Sequence, residues 1–557
     1  MHHLKGILLS VALICCATLL SAQAPDWLWV ESTGSTEYDV GYGVSTDSAG
    51  NSYVIGYFEE SVTFGDLTLT SAGSSDIFVA KLGPSGNWIW ARRAGGLMPD
   101  FGYGISTDNT GNSYITGYFM FTADFGATTL TSDSFSADIF VAKLDADGNW
   151  LWAKRAGGSL LDHGYGITHD SNGNCYLTGF FMGTADFGSL SLVSSGYRDV
   201  FVAKLDTSGE WIWAESAGGP NDETGYGIAT DGGGNCFVTG GFADTAQFGS
   251  ISLTANGSTG DIFVAGLNAG GNWIWANRAG ESGSPDVYGD YGYGIASDSN
   301  GNCYVTGIFY GPADFGNTNL TGGGSGSIFA AKLGAAGNWL WATDAVGNYS
   351  GDGFGICVDD NGNSFVTGGF GGTAEFGATN LTHYGSIDIF VAKLSAGGNW
   401  IWAVQAGGSS SEWAQAIALD NAGNSFVTGH FWNTADFGST EVTSSGEGDI
   451  FIAKLSPGGV EVEDELAPGI TGLSSLHNAY PNPFRKGEAA IIKTRIASRE
   501  TGLLTVHNLR GQLVASHTLA SGYHQISLDS RGLPSGIYLY RLQTDSVNEV
   551  RKLVLIK

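Results

Sequence analysis

Charge, proline, methionine and cysteine are all scarce in this 557-residue chain: 14% of residues are charged, and there are 11 prolines, 4 methionines and 6 cysteines. Few Lys, Arg, Glu, Leu and Met leave little material for long amphipathic helices. After the first twenty residues no apolar run approaches the 18 residues or so that a membrane helix needs, so no transmembrane span is expected in the mature chain. Basic residues are especially few, 24 against 54 acidic, and the resulting charge of −30 repels phosphate backbones, which excludes nucleic acid as a partner. What is abundant is glycine, 88 residues, beside 42% hydrophobic residues and 16 tryptophans. That mixture has no three-residue period and too much apolar content for collagen or a disordered tract, and it predicts an all-β protein with many tight turns.

The amino terminus, residues 1–24, reads as an export signal: Lys5, an apolar run from Ile7 to Leu20, then the small residues Ser21, Ala22 and Ala24. Charge is unevenly placed. Residues 478–557 hold 11 Lys/Arg and 5 Asp/Glu, a net of +6, and the rest of the chain holds 13 and 49, a net of −36. Two domains of opposite character follow. Cys175, Cys236, Cys303 and Cys357 remain after the signal; the first three follow Gly-Asn in separate repeats, with no CxxC pattern, and are expected to be buried free thiols.

Self-similarity organises the rest. The segment Gly41-Tyr-Gly-Val-Ser-Thr-Asp47 recurs from residues 102, 164, 225, 292, 353 and, as Ala414-Gln-Ala, from 414. Each unit continues with a turn such as Ser48-Ala-Gly-Asn51, a strand such as Ser52–Phe58, a Phe-Gly segment, Asp76-Ile-Phe-Val-Ala-Lys-Leu82 and Gly86-Asn-Trp-Ile-Trp-Ala91. Seven units of four main strands, with short additional strands near Phe-Gly, predict a seven-bladed β-propeller over residues 25–455. The seventh unit ends at Leu455 without its Trp-x-Trp strand, while a stray Trp27-Leu-Trp29 precedes the first. The amino-terminal strand is therefore expected to close the ring, with Gly-Tyr-Gly innermost and both rings of each Trp-x-Trp pair against the next blade. The units, above all Asp138–Leu144 and Gly164–Gly179, resemble the bacterial seven-bladed β-propeller (SBBP) repeat, which implies the fold and no particular activity.

Residues 456–477 read as an acidic linker, and residues 478–557 as a small immunoglobulin-like β-sandwich with strands at Leu504–His507, Gln525–Leu528, Ile537–Leu542 and Lys552–Ile556. The segments Asn478-Ala-Tyr-Pro-Asn-Pro-Phe484, Leu504–Gln512, Leu533-Pro-Ser-Gly-Ile-Tyr538 and Arg551–Lys557 resemble the type A sorting domain of the type IX secretion system of Bacteroidota. The resemblance implies that Pro481, Asn482, Pro483, Phe484, Gly511, Gly536, Tyr538 and Lys557 carry a sorting signal. It also implies the outer-membrane secretion machinery as partner and an extracellular or cell-surface location.

No catalytic constellation stands out, so the chain is expected not to be an enzyme and to have no certain cofactor. Asp124-Phe-Gly126 and its repeats lack the companions of a kinase site. The Asp47-Ser-Ala-Gly-Asn51 turns supply too few oxygens for a calcium loop and read as hairpin turns. A second acidic series, Asp39, Asp100, Asp162, Glu223, Asp290 and Glu412, with Asp352 one residue off register, precedes the innermost strands. In a closed ring it would surround one mouth of the channel, either accepting hydrogen bonds from neighbouring blades or binding a cation such as calcium. Departures from the repeat, the insertion Glu281–Asp290, Trp413 and Trp432, fall on connections that emerge on one face, the expected binding surface for a glycan or protein ligand. The reading is an exported, non-catalytic binding or display module. A carbohydrate-active enzyme with its site on that face, or a structural surface-layer component, are the alternatives.

Overall fold

The computed structural model describes residues 24–133, 136–256, 260–281, 288–323, 325–458, 474–476, 484–486, 489–496, 500–544 and 547–556. The expected signal lies outside them, apart from Ala24. The chain divides into two compact units, Met1–Glu463 and Asp464–Lys557.

The first unit is a seven-bladed propeller. In blade 1 the strands Val40–Thr46, Ser52–Phe58, Asp76–Leu82 and Trp88–Ala94 pair antiparallel in sequence order, and the same order repeats around the ring. The second and third strands of blade 1, Ser52–Phe58 and Asp76–Leu82, are buried at every residue, as expected for sheets covered on both faces. The ring closes as the sequence predicts: Trp27–Thr33 pairs antiparallel with Asp449–Leu455, Val30 opposite Ala453, and supplies the outer strand of blade 7.

The Phe-Gly segments form hairpins, Ser61–Phe64 with Leu67–Thr70 in blade 1, and their role was not legible in the sequence. Each of six hairpins bonds back to the outer strand of the preceding blade, as in Gly157 opposite Asp186, Gly280 opposite Asp314 and Gly407 opposite Asp436. Backbone pairing therefore crosses the blade boundary. The hairpins also correct the expectation for tryptophan. The first ring of each pair packs edge-on against the phenylalanine of its own blade's hairpin, Trp88 on Phe64 at 5.0 Å and Trp27 on Phe437 at 5.0 Å. A β-bulge between Lys81 and Leu82, repeated in the other blades, separates the two rings. The second ring reaches the next blade: Trp90, edge-on to Tyr53 of its own blade at 6.0 Å, lies against Gly148 of blade 2 and donates to the Ala146 carbonyl there at 3.1 Å.

Cys175, Cys236 and Cys303 are buried free thiols, as expected, and Cys357 is a half-buried one. The second unit contains two sheets, one of Ser475–Leu476, Ala489–Ile496 and Gly522–Asp529, the other of Phe484–Arg485, Gly502–Asn508, Leu513–Leu519, Gly536–Gln543 and Asn548–Ile556. All four expected strands are present, with Leu513–Leu519 and Ala489–Ile496 in addition. Leu504, Val506, Tyr540, Leu542 and Leu553 meet in its core.

Two outcomes test this architecture. Replacing Trp90 by Ala removes a 5%-exposed ring between blades and should cost about 3–5 kcal/mol in urea unfolding. Deleting residues 24–34 bares the edge of Asp449–Leu455, and the product should aggregate or lose cooperative unfolding, whereas a soluble, equally stable ring would contradict closure.

Candidate functional site

The Asp-Asn turns and the mouth carboxylates lie on opposite faces, because strands run alternately inward and outward through each blade. In the turn, Asp47 Oδ1 accepts from the backbone of Ala49 and Asn51 at 2.9 and 3.0 Å, and Oδ2 accepts from the Asn51 amide at 2.7 Å and the Tyr53 hydroxyl at 3.0 Å. Burial alone would raise this carboxyl, but those donors outweigh it and hold the pKa below the usual range. The same Asp-to-Asn hydrogen bonds recur at Asp108, Asp170, Asp231, Asp298, Asp359 and Asp420. The hairpin reading of these turns stands on that geometry.

The acidic series is buried rather than exposed around the mouth: Asp39, Asp100, Asp162, Glu223 and Glu412 are 0% exposed and Asp290 is 2% exposed. Each is used locally. Asp100 accepts from Gly96 N at 2.7 Å, in the connection between blades, and from Met120 N at 3.0 Å, at the end of the next strand. Asp162 does the same with Gly158 and Met182. Glu223 and Glu412 accept from Gly219 and Gly408, Asp39 from Ser35 and Glu59, and Asp290 from Tyr310. The structure does not gather them. Among the described residues no group of three or more His, Cys, Asp or Glu is arranged to hold a metal ion.

Each instead faces a second carboxylate that the sequence reading missed, the Asp that opens the third strand of the preceding blade: Asp76, Asp138, Asp199, Asp261, Asp388 or Asp449. These accept from the hairpin loop, as Ala72 N to Asp76 at 2.9 Å and Ser445 N to Asp449 at 2.8 Å. Their Oδ1 atoms are buried without a hydrogen-bond partner. They lie against a glycine: a Cβ at Gly95 would overlap both Asp76 and Asp100, and one at Gly157 or Gly280 the corresponding pair. Arg93, Arg155 and Arg278 pair with Asp76, Asp138 and Asp261. At the boundary between blades 5 and 6 all three features change together. Ser327 replaces the Asp, Gly351 stands where the mouth carboxylate would be, and Val346 replaces the glycine. Ser327 Oγ there accepts from Gly323 N at 2.6 Å. A signal was thus available in the sequence: where the carboxylates are lost, so is the need for glycine.

Burial, reinforced by the facing carboxylate, pushes Asp100 up to about 8, Asp162, Glu223 and Glu412 to about 7, and Asp39 to about 6. The folded state therefore binds protons that the unfolded chain releases, so this contribution to stability is full below about pH 4 and is lost as pH rises through 6–8. Asp47, Asp108, Asp170 and Asp298, whose pKa values the turn donors lower, act oppositely, losing their contribution as pH falls below about 4. Urea midpoints of the full chain should accordingly be higher at pH 5 than at pH 8. Asp388→Asn places an amide where Oδ1 lacks a partner, beside Glu412, and should add about 1 kcal/mol at pH 8 while flattening that slope.

The mouth itself is aromatic. The tyrosine between the two glycines of each innermost strand meets its neighbour around the axis: Tyr42 to Tyr103 at 4.8 Å, Tyr103 to Tyr165 at 5.1 Å, Tyr165 to Tyr226 at 5.5 Å, Tyr226 to Tyr293 at 5.3 Å and Tyr293 to Phe354 at 5.2 Å. Gln415 occupies the seventh position. Further out, rings fill most boundaries, as Tyr57 on Phe101 at 4.4 Å and Tyr118 stacked on His163 at 3.9 Å. Of the expected departures, Trp413 lies 5.7 Å from Phe354 and Trp432 stacks on Tyr38 at 5.4 Å. Residues 282–287 of the insertion lie outside the described residues.

A cavity of about 620 Å³ opens around blade 4, where Thr224 and Gly241 stand at positions that carry a ring in four other blades each. Its lining includes Tyr226 and Tyr291 as ring walls and Arg198, Asn221, Asp222 and Asp244 as polar groups. The Arg198 guanidinium lies over the Phe180 ring at 4.6 Å, and its Nε is 3.9 Å from Asp222. Asp244 adopts φ 57°, at a position where every blade has positive φ and three have glycine. Burial pushes the Tyr226 hydroxyl up to about 12, so it stays protonated and can both donate and accept.

In the second unit Phe484 and Tyr538 are core residues, 0% and 3% exposed, and the Tyr538 hydroxyl donates to the Pro534 carbonyl at 2.6 Å. Gly511 takes φ 77° in the Asn508–Gln512 turn, and Gly536 begins a strand. Pro481, Asn482, Pro483 and Lys557 lie outside the described residues.

Comparison with known proteins agrees with this division. Residues 89–118 match the beta-propeller repeat family, and residues 478–557 match the secretion system C-terminal sorting domain. The chain thus carries a β-propeller of that repeat and ends in a sorting domain, which marks it for export by the type IX secretion system to the cell surface or extracellular space. An uncharacterized WD repeat-containing protein of Acanthamoeba polyphaga mimivirus is 25% identical over 503 residues, 72% of this chain and 36% of that protein, so the chain spans little more than a third of its curated relative. Among solved structures, the Neurospora crassa Pan2 WD40 domain is 8% identical with a TM-score of 0.38, covering 79% of this chain and 98% of its own. PorZ, a surface component of the type IX secretion system of Porphyromonas gingivalis, is 12% identical with a TM-score of 0.16, and a fungal alcohol oxidase in complex with copper is 13% identical with a TM-score of 0.40. Each of these two alignments covers 95% of this chain and 100% of the other. At these scores the three likenesses carry no argument.

Proposed function

We propose that this is an exported, non-catalytic binding module whose ligand sits at the propeller mouth, beside Tyr226 and Tyr291. The observation that carries the reading is a convergence of residues that depart from the repeat. Arg198, Asp222 and Thr224, each unlike its counterparts in the other blades, line, with Gly241 and Asp244, one cavity of about 620 Å³, within the span of about 300–1,000 Å³ usual for small-molecule sites. The surrounding boundaries keep their rings and carboxylate pairs, so the scaffold is rigid where the site is open. The sorting domain supplies delivery and contact with the secretion machinery.

A specific observation favours a second reading. Asp222 and Asp244 are two carboxylates outside the repeat pattern lining the same cavity, the minimum equipment of a glycoside hydrolase. Assays for new reducing ends on neutral oligosaccharides separate the two. The binding reading expects none from the wild-type chain, whereas turnover lost in Asp222→Asn or Asp244→Asn would establish the enzyme. For export, removal of residues 478–557 should leave the protein behind the outer membrane in a host with the secretion system. Surface delivery of the truncated form would contradict the sorting role.

A further inference from the structure

The cavity's chemistry narrows what it binds. Its walls are the rings of Tyr226 and Tyr291, and its rim offers donors from Arg198 and Asn221 beside acceptors from Asp222 and Asp244. Arg198 and Asp222 lie within 3.9 Å of one another, and the cavity contains one cation against two carboxylates. Neighbouring donors and acceptors around ring faces suit vicinal hydroxyl groups, each of which donates and accepts at once, on a molecule with an apolar C–H face. A net negative lining, on a portion of the chain carrying −36, opposes uronates, phosphates and acidic peptides. Gly241 sets the position of one wall: a Cβ there would overlap the Tyr291 ring, so the glycine is what lets that ring lie against the strand. We infer that this cavity is a saccharide site for a neutral glycan, one sugar ring seated against the edge-to-face pair of Tyr226 and Tyr291, whose centroids are 6.1 Å apart, with its hydroxyls on Arg198, Asn221, Asp222 and Asp244. The inference rests on the binding reading above and adds the class of ligand.

The test applies the purified full chain to an array of neutral and uronate-containing glycans and, in parallel, to a peptide array, followed by calorimetry on the best neutral oligosaccharide. The expected result is binding of neutral glycans in preference to uronates, weakened about tenfold or more by Tyr291→Ala and by Arg198→Ala. Arg198 is 44% exposed, so its variant should keep the wild-type melting temperature and stands in if Tyr291→Ala fails to fold. Preference for uronates, or neutral-glycan binding untouched by the folded Arg198→Ala variant, overturns the saccharide site. Peptide binding lost in that variant overturns the ligand class and keeps the binding role. Silence on both arrays overturns both.

Discussion

A twisted four-stranded sheet that is apolar on both faces cannot end in water, and every other feature of the propeller answers that constraint. Seven such sheets bury one another only if the ring closes, and it closes because residues 27–33 return to complete blade 7 against Asp449–Leu455. The second tryptophan of each pair then bridges to the following blade, and the hairpins bond back to the preceding one. Each boundary is therefore held by ring packing and backbone pairing together, and no blade is an independent unit.

The buried carboxylates are the polar counterpart of that packing. Each pair gathers three loops, the hairpin connection of one blade, the passage between blades and the end of a strand in the next, through backbone N–H donors. Two acids so close and so dry hold protons that free acids would release, which couples the stiffness of the mouth to pH. The exception between blades 5 and 6 shows the logic: with Ser327 and Gly351 in place of acids, Val346 can occupy the site that elsewhere admits only glycine.

Period, blade count, closure and the sorting domain were legible because each is a relation between residues near in sequence or repeated at a fixed interval. The partners of Asp100 and its equivalents were not, since Asp76 looks like an ordinary member of a strand motif until two units are laid side by side. The contacts among the channel tyrosines were not legible either, since only ring closure brings them together; the glycines beside them admit the backbone and aliphatic side chains of neighbouring blades. Tryptophan placement was half legible: alternation predicted one common face, and the bulge at Lys81–Leu82 turns the two rings to different neighbours. The cavity was least visible of all, because it is defined by small residues, Thr224 and Gly241, where rings are missing.

The ligand site proposed beside Tyr226 and Tyr291 is what would set this exported ring apart from a bare scaffold. Hydrogen–deuterium exchange of the full chain, with and without a neutral oligosaccharide at saturating concentration, addresses that claim directly. Protection confined to the segments containing Arg198, Asn221–Tyr226, Gly241–Asp244 and Tyr291 is the predicted result; protection spread evenly over all seven blades, or restricted to the opposite face with its Asp-Asn turns, would contradict it.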